Sequence, residues 1–485
     1  MKKYIILLAA ASTLFTTSCM DNYLDEPSNS DTGALTPEDA YNSYEGTEAV
    51  MAGLLRMQRW QWMDDTFARS TSFGGVYALG FTRAVKGNDL IVNNNWYLNE
   101  YLNNDNVRIA TSGRAEFSWR FPYAMISRLN QMIDGVALSK KLSEDDKVDF
   151  TAQARALRGY YYYQLALEFN HALKHDPNAA AAPINLHVTT VGKPMSKLSD
   201  LYATIVEDLN FSVDNLTSNR YDNSWINKQV AAGMLANVYL SMEEWKKAED
   251  MAKIAYGNDV NGAMDNVDTY QAIGFDNPNS KEWLWSLTQR TDQSNYYYLA
   301  PHAFMSRKDG YKNVYLNKDF AALFTPDDVR TAALGNNEGG VPDTDPRYWY
   351  STKFTFAFNA SSPLMRTVEM ILVAAEAAYH QGNTAEANRI LNEFKANRYK
   401  GYTAQNLSGD ALLEDILVER RKELYGEQTG VEWFDAKRLQ RGIKRTGNHG
   451  RPLELAPNDK RFILYIPQVE IDNNPQIDDN VNAGR

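Results

Sequence analysis

His171 and His175 stand four residues apart, a spacing at which two imidazoles on one helix face can grip a metal ion. They fall just before Asp176-Pro177, at the end of a helical pattern, where histidines commonly sit beside the terminal carbonyls, so their placement favours a capping role over a metal site. Glu369 and Glu376 lie roughly two turns apart on one helix. Glu419, Glu423, Glu427, Glu432 and Asp435 crowd a stretch shared with Arg420, Arg421, Lys422, Lys437 and Arg438. A glycosidase needs two carboxylates facing each other across a substrate, whereas carboxylates interleaved with cations at close spacing read as a structural ion-pair network. The chain contains no Gly-x-Ser-x-Gly elbow, no His-Glu-x-x-His, no P-loop and no Gly-x-Gly-x-x-Gly. These observations predict a protein with no catalytic residues, no metal and no cofactor.

The remaining reactive residue is Cys19, the single cysteine, which rules out an internal disulfide. It follows Met1-Lys2-Lys3, an apolar run from Tyr4 to Phe15 and the small polar residues Thr16 to Ser18. That order is the charged, apolar and small-residue sequence of an export signal, too short to span a bilayer. A cysteine directly after the cleavage region resembles a bacterial lipobox, in which the cysteine is acylated and becomes the mature N-terminus, although Thr16 stands where an aliphatic residue is usual. Residues 1–18 are therefore expected to be a signal peptide, and residues 19–37, rich in Asp, Asn and Ser, a lipidated tether.

The remainder, 38–485, is long enough for a sizeable core. Hydrophobic content of 44%, charged content of 23% and 12% aromatics place it among globular chains, with tyrosine unusually frequent at 29. A formal net charge of −11 argues against nucleic-acid binding, which needs a basic face.

Helical periodicity recurs in blocks: 38–63, then Glu116 to Ala137, then from Ser143 through Ala154, Leu157, Tyr160 and Leu165 to Phe169. Tyr160 to Tyr163 point four ways round a helix, which predicts packing against neighbours and not a binding stripe. From Gln229 and again from Met370 the chain shows a small-residue-rich helix ending near a tyrosine (Tyr239, Tyr379), a short polar turn, and a second helix with internal alanines such as Ala248 and Ala387. This is the tetratricopeptide pattern, and if Ala248 matches Ala387 the turns differ by one residue. Helix pairs are placed near 150–170, 229–257, 370–397 and 412–426, within a single domain. Residues 74–106, with Tyr77, Phe81, Trp96, Tyr97 and Tyr101, and residues 258–359 read as long aromatic-rich loops, the second containing a buried strand at Glu282 to Leu287 that takes Trp283 and Trp285 into the core. The expected fold is mainly α, a tetratricopeptide-like scaffold with long loops and a few short strands.

Several stretches carry a family resemblance: CMDNYLDEP from Cys19, ARALRGYYYYQLALEF from Ala154, RTVEMILVAAEAAY from Arg366, ILVERRKELYGEQTGVEWFDAKR from Ile416 and IPQVEIDNNPQIDDN from Ile466. Together they resemble the SusD/RagB outer-membrane lipoproteins of Bacteroidetes nutrient-uptake systems over almost the whole chain, with Gln428-Thr429-Gly430 as a small departure. The resemblance implies a non-catalytic, lipid-anchored protein exposed at the cell surface, capturing oligosaccharide and passing it to a SusC-like TonB-dependent transporter. A RagB-like peptide binder is the alternative, and a surface glycosidase a weaker one.

The resemblance also implies a shallow aromatic platform with amides and an arginine nearby, drawn from the two loop regions. Sugar C–H faces pack on Trp and Tyr rings while hydroxyls bond to amides and charged side chains. Trp96, set among Asn93, Asn94, Asn95 and Asn99, is the leading candidate, with Tyr97 beside it, Asn99 as the amide and Arg83 as the charged donor. Tyr296, Tyr297 and Tyr298 are the second group, because alternate residues of an extended segment face opposite sides.

Overall fold

In chain order the principal helices are α1 (Tyr44–Met57), α2 (Gly75–Lys86), α3 (Leu98–Leu102), α4 (Gly113–Leu138), α5 (Glu144–Phe169), α6 (Leu198–Asn215), α7 (Lys228–Ser241), α8 (Trp245–Tyr256), α9 (Thr367–His380), α10 (Thr384–Ala396), α11 (Gly409–Leu424) and α12 (Val431–Arg438). They are seen in a computed structural model that describes residues 40–59, 74–103, 105–291 and 301–485. Cys19 with the export signal and tether, and Tyr296 to Tyr298, lie outside the described residues.

Helix starts follow local chemistry. Ser43, Ser112, Ser143 and Asn227 each precede a helix and accept a backbone N–H of its first turn, opening α1, α4, α5 and α7. From α4 to α10 each helix packs on the next, and α11 packs on α9. Small residues permit the close approach: Ala231, Ala232 and Ala236 of α7, Ala248 and Ala252 of α8, Ala374, Ala375, Ala377 and Ala378 of α9 and Ala387 of α10 are buried.

The two predicted repeat units match more closely than their tyrosines suggest. Both turns are three residues long, 242–244 and 381–383. In the first, the backbone N–H groups of Met242, Glu243 and Glu244 bond to the carbonyls of Val238, Leu240 and Tyr239; in the second, those of Gln381, Gly382 and Asn383 bond to Ala377, Tyr379 and Ala378. The central residue of each turn is left-handed, Glu243 at φ 59° and Gly382 at φ 77°. The expected one-residue difference is therefore corrected: Tyr239 matches Ala378, and Tyr379 matches Leu240. The helix following the Tyr160 helix was not expected, yet α6 carries its signal in Leu198, Leu201, Tyr202, Ile205 and Leu209, all buried at helical spacing. Tyr161 and Tyr162 are fully buried and Tyr160 and Tyr163 nearly so, as their four directions predict.

The regions expected to be loops are built elements. Trp283–Leu287 is the predicted buried strand, and it pairs antiparallel with Ser362–Arg366. A second sheet runs in the order Leu90–Val92, Val314–Leu316, Trp349–Ser351, Leu334–Asn336. Its first pairing, Leu90 with Leu316, Ile91 with Tyr315 and Val92 with Val314, stitches the two regions together.

Candidate functional site

The chain between Val92 and α4 folds around an open cleft of about 630 Å³. Trp96, Asn99, Asn95, Asn106 and Ser112 line it, with Tyr97 and the Glu100–Arg114 pair also contributing to its wall. Two left-handed residues shape the approach to α3, Asn95 at φ 49° and Tyr97 at φ 63°, and they bracket Trp96. From the other region, the Asn313 amide donates to the carbonyls of Asn94 (3.2 Å) and Trp96 (2.9 Å) and holds this turn. The Trp96 ring is half-buried and meets the Tyr311 ring at 5.8 Å between centroids, while Asn95, Asn99 and Asn106 are exposed.

Electrostatically the cleft is fixed by one ion pair. Arg114 donates through Nε (3.1 Å) and Nη2 (2.9 Å) to Glu100 Oε1, and both side chains are buried. Glu100 is the sole carboxylate among the described lining residues, and these supply no facing pair of the kind that glycoside hydrolysis requires. Among the described residues no cluster of three or more His, Cys, Asp or Glu could hold a metal ion. His171 and His175 lie beyond the end of α5, and burial, with Lys437 next in weight, lowers His171 to about 3.

Two of the predicted site residues are packed in the interior and not presented to a ligand. Arg83 sits in the last turn of α2, 2% exposed, and donates to Glu168 (2.6 Å), Gln164 (2.9 Å) and the Gln428 carbonyl (3.3 Å). It belongs to the interior and not to the cleft. Tyr97 lines the cleft, but its ring is packed edge-on against Phe81 and Phe304, each 5.0 Å away, and burial raises its hydroxyl. Tyr77, Phe81 and Tyr101 are likewise buried and sit on helices, correcting their reading as loop aromatics. Tyr77 and Phe81 lie on α2, a helix whose every residue is buried, and Tyr101 lies on α3. Trp96 and Asn99 are the predicted residues that the structure brings together at an accessible surface. Sequence reasoning missed Asn95, Asn106 and Tyr311. The first stood in the quoted run beside Trp96, whereas Asn106, which lines the cleft, and Tyr311, which meets the Trp96 ring behind it, carry no local signal and arrive through tertiary placement.

The comparisons with known proteins bear on this arrangement. The family described as "Starch-binding associating with outer membrane" matches residues 69–240, and the SusD family matches residues 217–482. The latter spans more than half of the chain, which belongs to the SusD family. A SusD-like protein of Bacteroides ovatus is 24% identical over 479 residues, covering 90% of this chain and 82% of the relative. SusD-like protein P2 of Formosa agariphila is also 24% identical, covering 76% of this chain and 80% of its own length. Among solved structures, a SusD-like carbohydrate binding protein of Bacteroides vulgatus superposes with a TM-score of 0.77 at 25% identity, covering 90% of this chain and 97% of that one. A laminarin binding SusD-like protein shares the fold with a TM-score of 0.67 at 19% identity, covering 90% and 98%. The mainly helical, tetratricopeptide-like scaffold is thus that of its family, and the family's description associates it with the outer membrane. Among the described residues no helix is long and apolar enough to cross a membrane.

Proposed function

We propose that this chain is a lipid-anchored, cell-surface binding protein that captures oligosaccharide in the Trp96 cleft and hands it to a SusC-like TonB-dependent transporter. The observation that carries the reading is the cleft: a half-exposed indole flanked by exposed amides, on a scaffold whose solved relatives include carbohydrate and laminarin binders. An indole face accepts the C–H side of a pyranose, and each amide offers a donor and an acceptor to vicinal hydroxyls. Such a site needs neither nucleophile nor metal. Binding by one ring and a few hydrogen bonds is expected to be weak, on the order of micromolar to millimolar, which suits onward transfer. Anchoring through Cys19 would keep the protein at the membrane that the family's description names, and binding without turnover is the expected behaviour.

The test is calorimetric titration of the purified chain against a panel of plant and host glycans and mixed peptides, with Trp96→Ala in parallel. Saturable glycan binding that falls at least tenfold in the variant supports the reading. Binding of peptides alone would replace the glycan by a peptide ligand of the RagB kind, and glycan binding unchanged by Trp96→Ala would move the site out of this cleft.

A further inference from the structure

α3 carries one wall of the Trp96 cleft and is too short to hold itself. It is five residues long, with left-handed residues at both ends, Tyr97 at φ 63° and Asn103 at φ 48°, and a helix of this length has little stability of its own in water. Leu98, Asn99 and Glu100 line the cleft. Tyr101, the next residue, is outside that lining and only 1% exposed.

What holds Tyr101 comes from far along the chain, from the turn that joins the paired strands Ile443–Lys444 and Glu454–Leu455. The Arg445 guanidinium lies 3.8 Å from the centroid of the Tyr101 ring and donates to the Tyr101 carbonyl (2.6 Å) and the Gly87 carbonyl (3.1 Å). The His449 ring is nearly parallel to that of Tyr101, at 14° and 5.9 Å between centroids. Its Nδ1 is 2.8 Å from the Tyr101 hydroxyl and its Nε2 2.8 Å from the Asn88 carbonyl. A carbonyl can only accept, so Nε2 carries the proton and Nδ1 accepts from the Tyr101 hydroxyl. Burial lowers His449 to about 4 against the pull of the Asn88 hydrogen bond, and Arg445 adds to burial, so the imidazole is neutral at pH 7. The turn is itself fixed: Asn448 accepts from the Lys318 backbone N–H (2.9 Å) and donates to the Asp345 carbonyl (2.7 Å), and the Thr446 backbone N–H donates to Asn88 Oδ1 (2.7 Å). Asn88 and Tyr101 bracket the segment that carries Trp96 and Asn99, and one imidazole ties the two together.

From this juxtaposition we infer that His449 is a positioning residue for the Trp96 cleft: by bonding Asn88 and Tyr101 at once it closes the 88–101 segment into a loop and presents Trp96 and Asn99 to a ligand in a fixed arrangement. His449 does not line the cleft and acts through Tyr101. Preorganisation of this kind raises affinity because the wall need not be ordered when ligand binds. The inference rests on the reading of the cleft as a glycan site.

The experiment reads two quantities on the purified chain: affinity for laminarihexaose and for maltohexaose by calorimetry, and amide hydrogen exchange of α3 without ligand. The reporter amides are those of Tyr101 and Asn103, which donate to the carbonyls of Tyr97 (2.9 Å) and Asn99 (3.1 Å). Tyr101→Phe keeps the ring and loses the hydroxyl, whereas His449→Gln keeps a donor for the Asn88 carbonyl and loses the acceptor for Tyr101. The two remove one hydrogen bond from its opposite ends. Each is expected to speed exchange at both reporters and to weaken glucan binding by about fivefold, the factor that one average hydrogen bond is worth. The double variant should be no weaker than either single one, because the bond can be lost only once. Glu423→Gln, a buried change away from the cleft, should alter neither quantity at temperatures where it remains folded, which separates positioning from a general loss of stability. Exchange and affinity unchanged in both single variants, losses that multiply in the double variant, or an equal loss in Glu423→Gln overturns the inference. If wild type binds neither glucan, the failure falls on the glycan reading, and the exchange data alone decide on His449: faster exchange at the reporters supports its role, and unchanged exchange overturns it.

Discussion

Glu423→Gln tests what holds the scaffold together. Glu423 is fully buried near the end of α11. Its Oε1 accepts from Arg366 Nη1 (2.7 Å) and Nη2 (2.6 Å) and from Arg398 Nη2 (3.2 Å); its Oε2 accepts from Arg398 Nε (3.0 Å) and Arg330 Nη1 (3.2 Å). Around it the cations Arg330, Lys353, Arg366, Arg398 and Lys422 balance the carboxylates Asp328, Glu282, Glu419, Glu423 and Glu427, all buried. Glutamine keeps the shape, so no cavity opens, but its NH2 group must face guanidinium donors. Placed at the Oε2 position it forfeits two hydrogen bonds, at the Oε1 position three, and either way one positive charge is left uncompensated. Breaking one side of a buried ion pair costs about 3–5 kcal/mol, and that loss is expected in denaturant unfolding followed by far-UV circular dichroism at pH 7. Glu414→Gln on the same helix is the control: its pair with Arg441 is exposed on both sides, and its loss should stay below about 0.5 kcal/mol. Arg398, Arg366 and Arg330 hold the Glu423 carboxyl well below the usual carboxylate range despite its burial. A depressed value gives stability that is present above the unfolded value, about 4.3, and lost as pH falls through the folded one. The gap between wild type and variant should therefore stay constant from pH 7 to 5 and narrow only below about pH 4. A Glu423→Gln protein within about 0.5 kcal/mol of wild type at pH 7, no more than an exposed pair is worth, would refute the reasoning.

The Glu432 carboxyl is enclosed against Gly87 and accepts from the backbone N–H groups of Asn88 (2.6 Å) and Asp89 (2.9 Å); burial, then the Asp89 carboxylate, raises it to about 7 against the pull of Arg421. A raised carboxyl favours the fold when protonated, so its contribution is complete below about pH 4 and disappears as pH rises to 7. Glu432→Gln, which keeps the acceptor, should flatten that part of a melting-temperature profile relative to wild type. In the repeat turns, Glu243→Gly should raise stability by about 0.5–1 kcal/mol by relieving a left-handed side chain, since its exposed pair with Lys174 offsets little. Gly382→Ala should cost about 1 kcal/mol, read from the shift of the denaturant midpoint, even though a Cβ there meets nothing.

What could be read in the sequence was whatever repeats locally. Buried alanines at helical spacing gave the paired helices of α7 to α10, and alternating signs from Glu419 to Arg438 gave an ion-pair network, because both patterns lie within a few turns. The network's partners Arg330 and Arg366 reach it from distant segments, so its depth was not visible. For the same reason Arg83 looked available: its partner Glu168 lies on another helix, and nothing near Arg83 in the chain announces it. α2 was read as a loop because Gly74, Gly75, Gly80 and Gly87 fall at its ends and within it, and glycine is a poor helix former. Trp96 could be singled out because its polar neighbours have no core to enter, but Asn106 and Tyr311 needed the fold to bring them near.

This division has a physical consequence for how ligand choice and stability are related. The residues that carry the family resemblance, from Ile416 to Arg438, are tied into buried charge, where a single change costs several kcal/mol. The cleft hangs between Val92 and Gly113, secured by the pairing of Leu90–Val92 with Val314–Leu316 and by Asn313, while Trp96 itself is only half-buried. Trp96→Ala should then abolish binding with a stability change far below that of Glu423→Gln. Glu423→Gln, at temperatures where it remains folded, should bind as wild type does. A Trp96→Ala protein that unfolds as readily as Glu423→Gln would show that the cleft is part of the core, and the independence of site from scaffold would fail with it.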